Sequence, residues 1–222
     1  MKRKTLTIAV AILVLIVSAV CLVACNKNKP QNTPSDNVSR RTDAYYAGEC
    51  ERFAVSVERG VREKTFIADG VATDVEAFCE LTIQPLKSND YQSISYVLSG
   101  GTSTLSGELT AGQYGEFTAS VALDFIPEKA TITAGNATSE IDLSSVLEGA
   151  LTSQDVINIA KREFKDKIDA EYNQGKSERE IYVKLITADR ASYYYYVSFI
   201  GDGVDYWAML VDPKTGEIIS KK

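Results

Sequence analysis

Histidine is absent from all 222 residues. That removes every mechanism resting on imidazole as base, acid or metal ligand, and with it Ser-His and Cys-His nucleophile pairs. Cysteine is scarce too, four in the whole chain and not clustered, so no zinc site can be assembled from thiolates. Positive charge is in deficit. The 24 Lys plus Arg stand against 30 Asp plus Glu, and a formal charge of −6 leaves no basic stripe for nucleic acid. No Ser-x-x-Lys arrangement and no Gly-x-x-x-x-Gly-Lys phosphate loop occurs. What is present is ordinary for a folded protein: 45% apolar and 24% charged residues, and a length suited to one or two domains.

The apolar residues are unevenly spread. Lys2, Arg3 and Lys4 precede an almost unbroken apolar run from Leu6 to Val23, so residues 1–24 are read as a targeting segment. The run ends in Leu22-Val23-Ala24-Cys25, followed at once by polar residues. This tetrad resembles the lipobox of bacterial lipoproteins. The resemblance implies cleavage before Cys25 and a diacylglyceryl group on its thiol. Two acyl chains give stable anchoring, while a plain transmembrane anchor is the competing reading of the same run. Either places the remainder outside the cytoplasmic membrane. Loss of residues 1–24 removes three basic side chains, leaving 21 against 30 acidic ones. So acidic a chain is repelled by an anionic surface, and the lipid must hold it there. Residues 25–43 are polar with two prolines, and are read as a lipidated, disordered tether.

From 44 to 149 the pattern is short period-two runs separated by Gly, Asn and Pro. They include Phe53-Val55-Val57, Val75-Ala77-Cys79-Leu81-Ile83, Ile94-Tyr96-Leu98, Phe117-Ala119-Val121-Leu123-Phe125 and Ala130-Ile132-Ala134. Such alternation predicts half-buried antiparallel strands, and seven or eight of them predict a β-sandwich. In outline it resembles a bacterial immunoglobulin-like module. This stretch carries 16 acidic and 6 basic residues. Cys50 and Cys79, the thiols left after processing, form a candidate disulfide that an extracytoplasmic address permits. Cys79 is in phase with the inward residues of its strand and Cys50 is out of phase, so the pairing is left open and the balance is toward free thiols.

Residues 150–222 differ, being near neutral with 11 basic and 12 acidic side chains. Thr152 with Asp155 predicts a capped helix start. Val156, Ile157, Ala160, Phe164 and Ile168 mark one helical face, and Gly175 stops the helix. Strands are expected over 181–187, 192–200, 204–211 and 217–220, with Asp212 to Gly216 as a Pro- and Gly-driven turn. The order of helix and strands, closing in Trp207, Met209, Val211, Asp212, Thr215, Gly216, Glu217 and Ile218, resembles a PepSY domain. The expected fold class is therefore α+β: an all-β sandwich followed by a small PepSY-like domain of helix and antiparallel sheet. The resemblance implies peptidase inhibition or protein binding and supplies no catalytic residues.

No cofactor and no metal is expected. Asp202, Asp205 and Asp212 flank turns and are read as turn formers rather than calcium ligands. Carboxylate-only chemistry is the sole enzymatic route open, and a solvated acidic surface explains the same residues. The expected function is non-enzymatic binding of a protein or envelope partner, including regulation of a peptidase. A surface adhesin and a solute- or carbohydrate-binding lipoprotein are the alternatives. Strand parity turns Trp207, Met209, Val211, Tyr193, Tyr195, Val197, Phe199, Ile181, Val183 and Leu185 toward the helix. It leaves Tyr182, Ile186, Tyr194, Tyr196, Tyr206 and Leu210 on the other face, a candidate contact surface. Packing of that face on the sandwich or on a second copy is the alternative. The lipobox yields a direct expectation: Cys25→Ala accumulates an unprocessed, unacylated precursor, read by intact mass. Normally processed, acylated protein from this variant would refute lipidation.

Overall fold

A computed structural model describes residues 37–87, 91–112, 114–173, 179–202 and 204–222. The targeting segment, Cys25, the tether as far as residue 36 and Gly175 lie outside the described residues. Thirteen strands and two helices are described: β1 Val38–Glu49, β2 Phe53–Glu63, β3 Val75–Pro85, β4 Ser93–Gly100, β5 Ser103–Thr110, β6 Phe117–Ser120, β7 Lys129–Ala134, β8 Ala137–Asp142 and β9 Ser144–Ser145, then α1 Ser153–Glu163, α2 Lys165–Asn173, β10 Glu180–Thr187, β11 Tyr193–Ile200, β12 Tyr206–Val211 and β13 Ile218–Lys221. Neither helix is long and apolar enough to cross a membrane.

The period-two runs do make two facing sheets. A small sheet in the order β5-β4-β7-β8 packs on part of a long one, β13-β12-β11-β10-β1-β2-β3-β6. Between them Phe53, Val55, Val57, Leu81 and Ile83 of the long sheet meet Ile94, Leu98, Ile132 and Ile141 of the small one, all essentially sealed from solvent. This strand order is not the immunoglobulin arrangement, in which strands 1-2-5-4 face 3-6-7. One expected run is shorter than its sequence period. β6 ends at Ser120, and Val121, Leu123 and Phe125 pack against the core outside any strand as the chain crosses to β7.

The second core lies beneath the other end of the long sheet. Thr152 caps α1, its backbone and side chain both hydrogen bonding with Asp155 as the sequence predicts. Val156, Ile157, Ala160 and Phe164 then pack against Ile181, Val183, Leu185, Tyr195, Val197, Phe199, Met209 and Val211. The expected single helix breaks at Phe164, whose ring sits 5.8 Å from both Phe199 and Trp207. Gly216 takes φ +73° in the turn before β13, where glycine carries no Cβ penalty.

The expected tether boundary is also corrected. The tether does not reach residue 43: residues 38–43 belong to β1. β1 runs antiparallel to β2 along nearly its whole length, and parallel to β10 through Val38↔Ile181 and Arg41↔Val183. One sheet thus crosses the expected boundary at 149/150, although each side keeps its own core. Arg41 stands opposite both Val183 and Val61, and Val61 shares its side of β2 with Val57. The helices and the small sheet therefore lie side by side on one face of the long sheet. The two remaining thiols lie apart. Cys50 and Cys79 are both free. The Cys50 amide bonds the Phe53 carbonyl at one end of β2, whereas Cys79 stands opposite Arg59. At ~3.4 Å per residue the intervening β2 segment spans roughly 20 Å, far beyond the about 7 Å a disulfide tolerates.

If β1 is structural from its first residue, a chain starting at 44 will unfold at a urea midpoint lower by about 1 M than one starting at 37. Equal midpoints would return residues 37–43 to the tether.

Candidate functional site

With both packing layers on one side, the opposite face of the long sheet is left open. Its centre is the β1–β10 seam, and its chemistry is set by which side chains point there. Register places Tyr182 beside Arg40 and Ser198, Lys184 beside Tyr196, Ile186 beside Tyr194, Tyr196 beside Leu210 and Ile200 beside Tyr206. All six residues of the candidate contact surface, Tyr182, Ile186, Tyr194, Tyr196, Tyr206 and Leu210, therefore share one face of β10–β12. Tyr182 and Tyr196 touch edge-on with ring centroids 6.5 Å apart. Ile186 is 36% exposed and the other five are half-buried. Lys222 reaches back to Tyr206, donating to its hydroxyl at 2.7 Å.

Across the seam the face becomes cationic and aromatic. Gly60 is the enabling residue on β2, since a Cβ there would lie 1.8 Å from the Arg41 carbonyl oxygen and 3.2 Å from the Phe78 ring. The Phe78 ring carries Arg40 at 4.6 Å and Arg62 at 4.7 Å, and Arg40 also lies 5.8 Å from the Tyr182 ring. Each cation has a carboxylate: Arg40 pairs with Glu58 at 2.9 Å and Arg62 with Glu80 at 2.9 Å. Thr42 adds a 2.6 Å hydrogen bond to Glu58 and accepts from the Leu185 amide, tying β10 to β1 where their ladder ends. Sequence reading missed Arg40, Glu58 and Phe78. The phase of Arg40 becomes visible only once residues 38–43 are known to be strand, while Glu58 and Phe78 fall on the outward side of runs read for their inward residues.

Beside this stack lies an open cavity of about 250 Å³, with Phe66 of the β2–β3 loop in its lining. Phe66 meets Tyr182 edge-on at 5.5 Å. Asn37 pins the loop, its side-chain amide donating to the Gly70 carbonyl and its oxygen accepting from the Ala72 amide. Tyr182, Tyr196 and Ile200 line it together with the polar residues Ser39, Arg40, Arg62, Glu63 and Ser198. Arg40 Nε, Glu63 Oε2 and Ser198 Oγ are buried without a hydrogen-bond partner among the described residues. Glu180 is also fully buried, with both carboxylate oxygens unpartnered. Burial, then the charge of Glu63, pushes its pKa from 4.5 to about 7.

On the helix side, Arg179 stacks 3.9 Å over Trp207 and bridges Glu171 of α2 to Asp205. Asp205 is thereby an ion-pair partner, and Asp212 accepts the Lys214 and Thr215 amides at 2.8 Å to hold its turn. Among the described residues no three His, Cys, Asp or Glu side chains gather as a metal site.

Glu180 makes stability depend on pH. Between pH 4.5 and about 7 the folded chain holds a proton that the unfolded chain has released, so stability falls as pH rises through that window and levels off above it. Glu180→Gln should therefore melt a few degrees above the parent at pH 8 and alongside it below pH 4.5. A difference independent of pH would remove Glu180 as the cause.

Against known proteins, no curated protein and no solved structure matches the chain. One family does, over residues 150–222: PepSY, described as the peptidase propeptide and YPEB domain. The match begins two residues before the Thr152 cap and takes in α1, α2 and β10–β13, the helices and four strands that enclose the second core. The C-terminal third of this chain is a PepSY domain.

Proposed function

We propose that the chain is a non-enzymatic, lipid-anchored protein of the bacterial cell envelope that binds another protein, and that this partner is a peptidase or a peptidase precursor. The observation that carries the reading is the open tyrosine face. A sheet with one solvated face is usually polar there, yet four tyrosines, Ile186 and Leu210 occupy this one. Tyrosine combines a large apolar ring with a hydroxyl that can still donate, the profile of a contact surface. The family description supplies the class of partner, since PepSY domains occur as peptidase propeptides. The lipobox resemblance at Cys25 supplies the address, and the absence of histidine supports a binding role over a catalytic one.

The test is a photo-crosslinking residue at position 186, on the same face beside Tyr194, in the producing bacterium, with the captured peptide identified by mass spectrometry. A peptidase or its precursor is expected. Combined Tyr194→Ser, Tyr196→Ser and Tyr206→Ser replacement should abolish the crosslink with the melting temperature unchanged. Crosslinks confined to a second copy of the chain, or a large fall in melting temperature in the triple variant, would show the face to be structural.

A further inference from the structure

The parallel pairing of β1 with β10 sorts the connections of the long sheet to its two ends. Val38 lies beside Ile181, so the end where β1 begins also holds the β2–β3 loop, residues 64–74, and the β11–β12 turn, residues 201–205. The β1–β2, β10–β11 and β12–β13 turns lie at the other end. The two ends differ in chemistry. Ten large apolar side chains are exposed among the described residues, and five belong to the first end: Phe66, Ile67 and Val71 in the loop, Val75 where it joins β3, and Val204 in the turn. Ile67 is 57% exposed and Val204 94%. The other five are scattered singly, and none lies in the three turns of the second end, where Glu51, Asp189, Arg190 and Lys214 are exposed instead.

The apolar loop is held in place. The Asn37 side chain bonds Gly70 and Ala72, Asp69 accepts from the Val71 amide and Glu63 from the Thr73 amide. A fixed loop that turns apolar side chains to water marks a contact surface. What covers it follows from where the chain enters. Asn37 is the residue at which the described chain begins, and it is bonded to this loop. Cys25 lies twelve residues earlier, a span of at most roughly 40 Å. A bilayer anchored at Cys25 is therefore always within reach of the apolar end. Charge plays no part in the attraction, because residues 64–74 and 201–205 carry Lys64 alone against Asp69, Asp74, Asp202 and Asp205.

We infer that this end of the long sheet docks on the membrane that anchors the chain, with Phe66, Ile67, Val71 and Val204 entering the interface between headgroups and acyl chains. The inference rests on the anchored reading proposed above. Entry is shallow, about 5–10 Å, as for other interfacial apolar segments, and leaves the carboxylates at headgroup level. The sheet then stands end-on to the bilayer. Its tyrosine face looks sideways along the membrane, toward partners that are themselves at the surface.

The experiment places the full-length protein in phosphatidylcholine vesicles whose acyl chains carry bromine near the headgroup, which quenches tryptophan on contact. Phe66→Trp adds a reporter to a chain whose only tryptophan is Trp207, and the parent is the baseline. The added fluorescence should fall by about half or more in brominated vesicles. Lys214→Trp, a reporter at the opposite end, should not be quenched. Adding Ile67→Asp and Val71→Asp to the Phe66→Trp chain should remove the quenching with the melting temperature unchanged, since both side chains are exposed. Raising salt to about 0.5 M should change nothing, because the contact is apolar. Intact mass of the same preparation reads the Cys25 anchor separately, so failure of the anchor and failure of the loop contact have different signatures. Equal quenching at positions 66 and 214, or none at either, would overturn the inference. So would a blue shift of the position-66 reporter that grows with protein concentration at fixed detergent, which would give the loop to a second copy of the chain.

Discussion

The parallel pairing of β1 with β10 is the constraint on which the architecture rests. It joins two packing units that otherwise have separate cores, and it turns both onto the same side of one sheet. Backbone hydrogen bonds alone would make a weak seam, because only Val38, Arg40 and Arg41 are in register with β10. Side chains complete it. Thr42 bonds both Glu58 and the Leu185 amide, while Arg40 lies between Phe78 and Tyr182 with Glu58 as its counter-ion. Removing one member of such a buried pair strands the other, a cost of about 3–5 kcal/mol, far above that of an exposed ion pair.

The same seam generates the candidate site. Because both layers pack on one side, the other side of β10–β12 keeps its tyrosines open, and the β2–β3 loop folds over only the part nearest Asn37. The cavity lies where this loop stops covering the sheet. Its polar residues come from β1, β2 and β11, segments far apart in sequence, so it exists only when the seam is made.

Legibility in the sequence followed the range of the interactions. Features set by neighbours a few residues away could be read directly: the Thr152–Asp155 cap, the Asp212 turn with Gly216, and the alternation that turns Trp207, Met209 and Val211 inward. Features set by distant partners could not. Val38-Ser39-Arg40-Arg41-Thr42-Asp43 has the polarity of a tether, and becomes a strand because Glu58 lies beside it and Ile181 and Val183 pair with it. Apolar period misled at the other extreme. Phe117 to Phe125 alternates throughout, but only its first four residues have a strand partner. Ser198 and Glu63 carried no local signal, since what distinguishes them is a missing partner in three dimensions. The tyrosine face was legible as a face because parity in β10, β11 and β12 is unbroken by bulges within the paired segments.

The separation of β1 from β10 along the chain has a consequence for how the protein comes into being. Thr42 and Leu185 are 143 residues apart. As the chain emerges into the compartment where it folds, amino terminus first, β1 and β2 can pair at once, and the sandwich core is complete when β8 follows. One edge of β1 must then wait, beyond the two residues covered by β9, until β10 has emerged. During that interval the polar makeup of residues 38–43, which hid the strand from sequence reading, protects the waiting edge. Arg40, Arg41 and Asp43 keep it solvated and repel the edge-to-edge pairing that a greasy strand would invite. Residues that look wrong for a strand are what let this strand be made first and matched last.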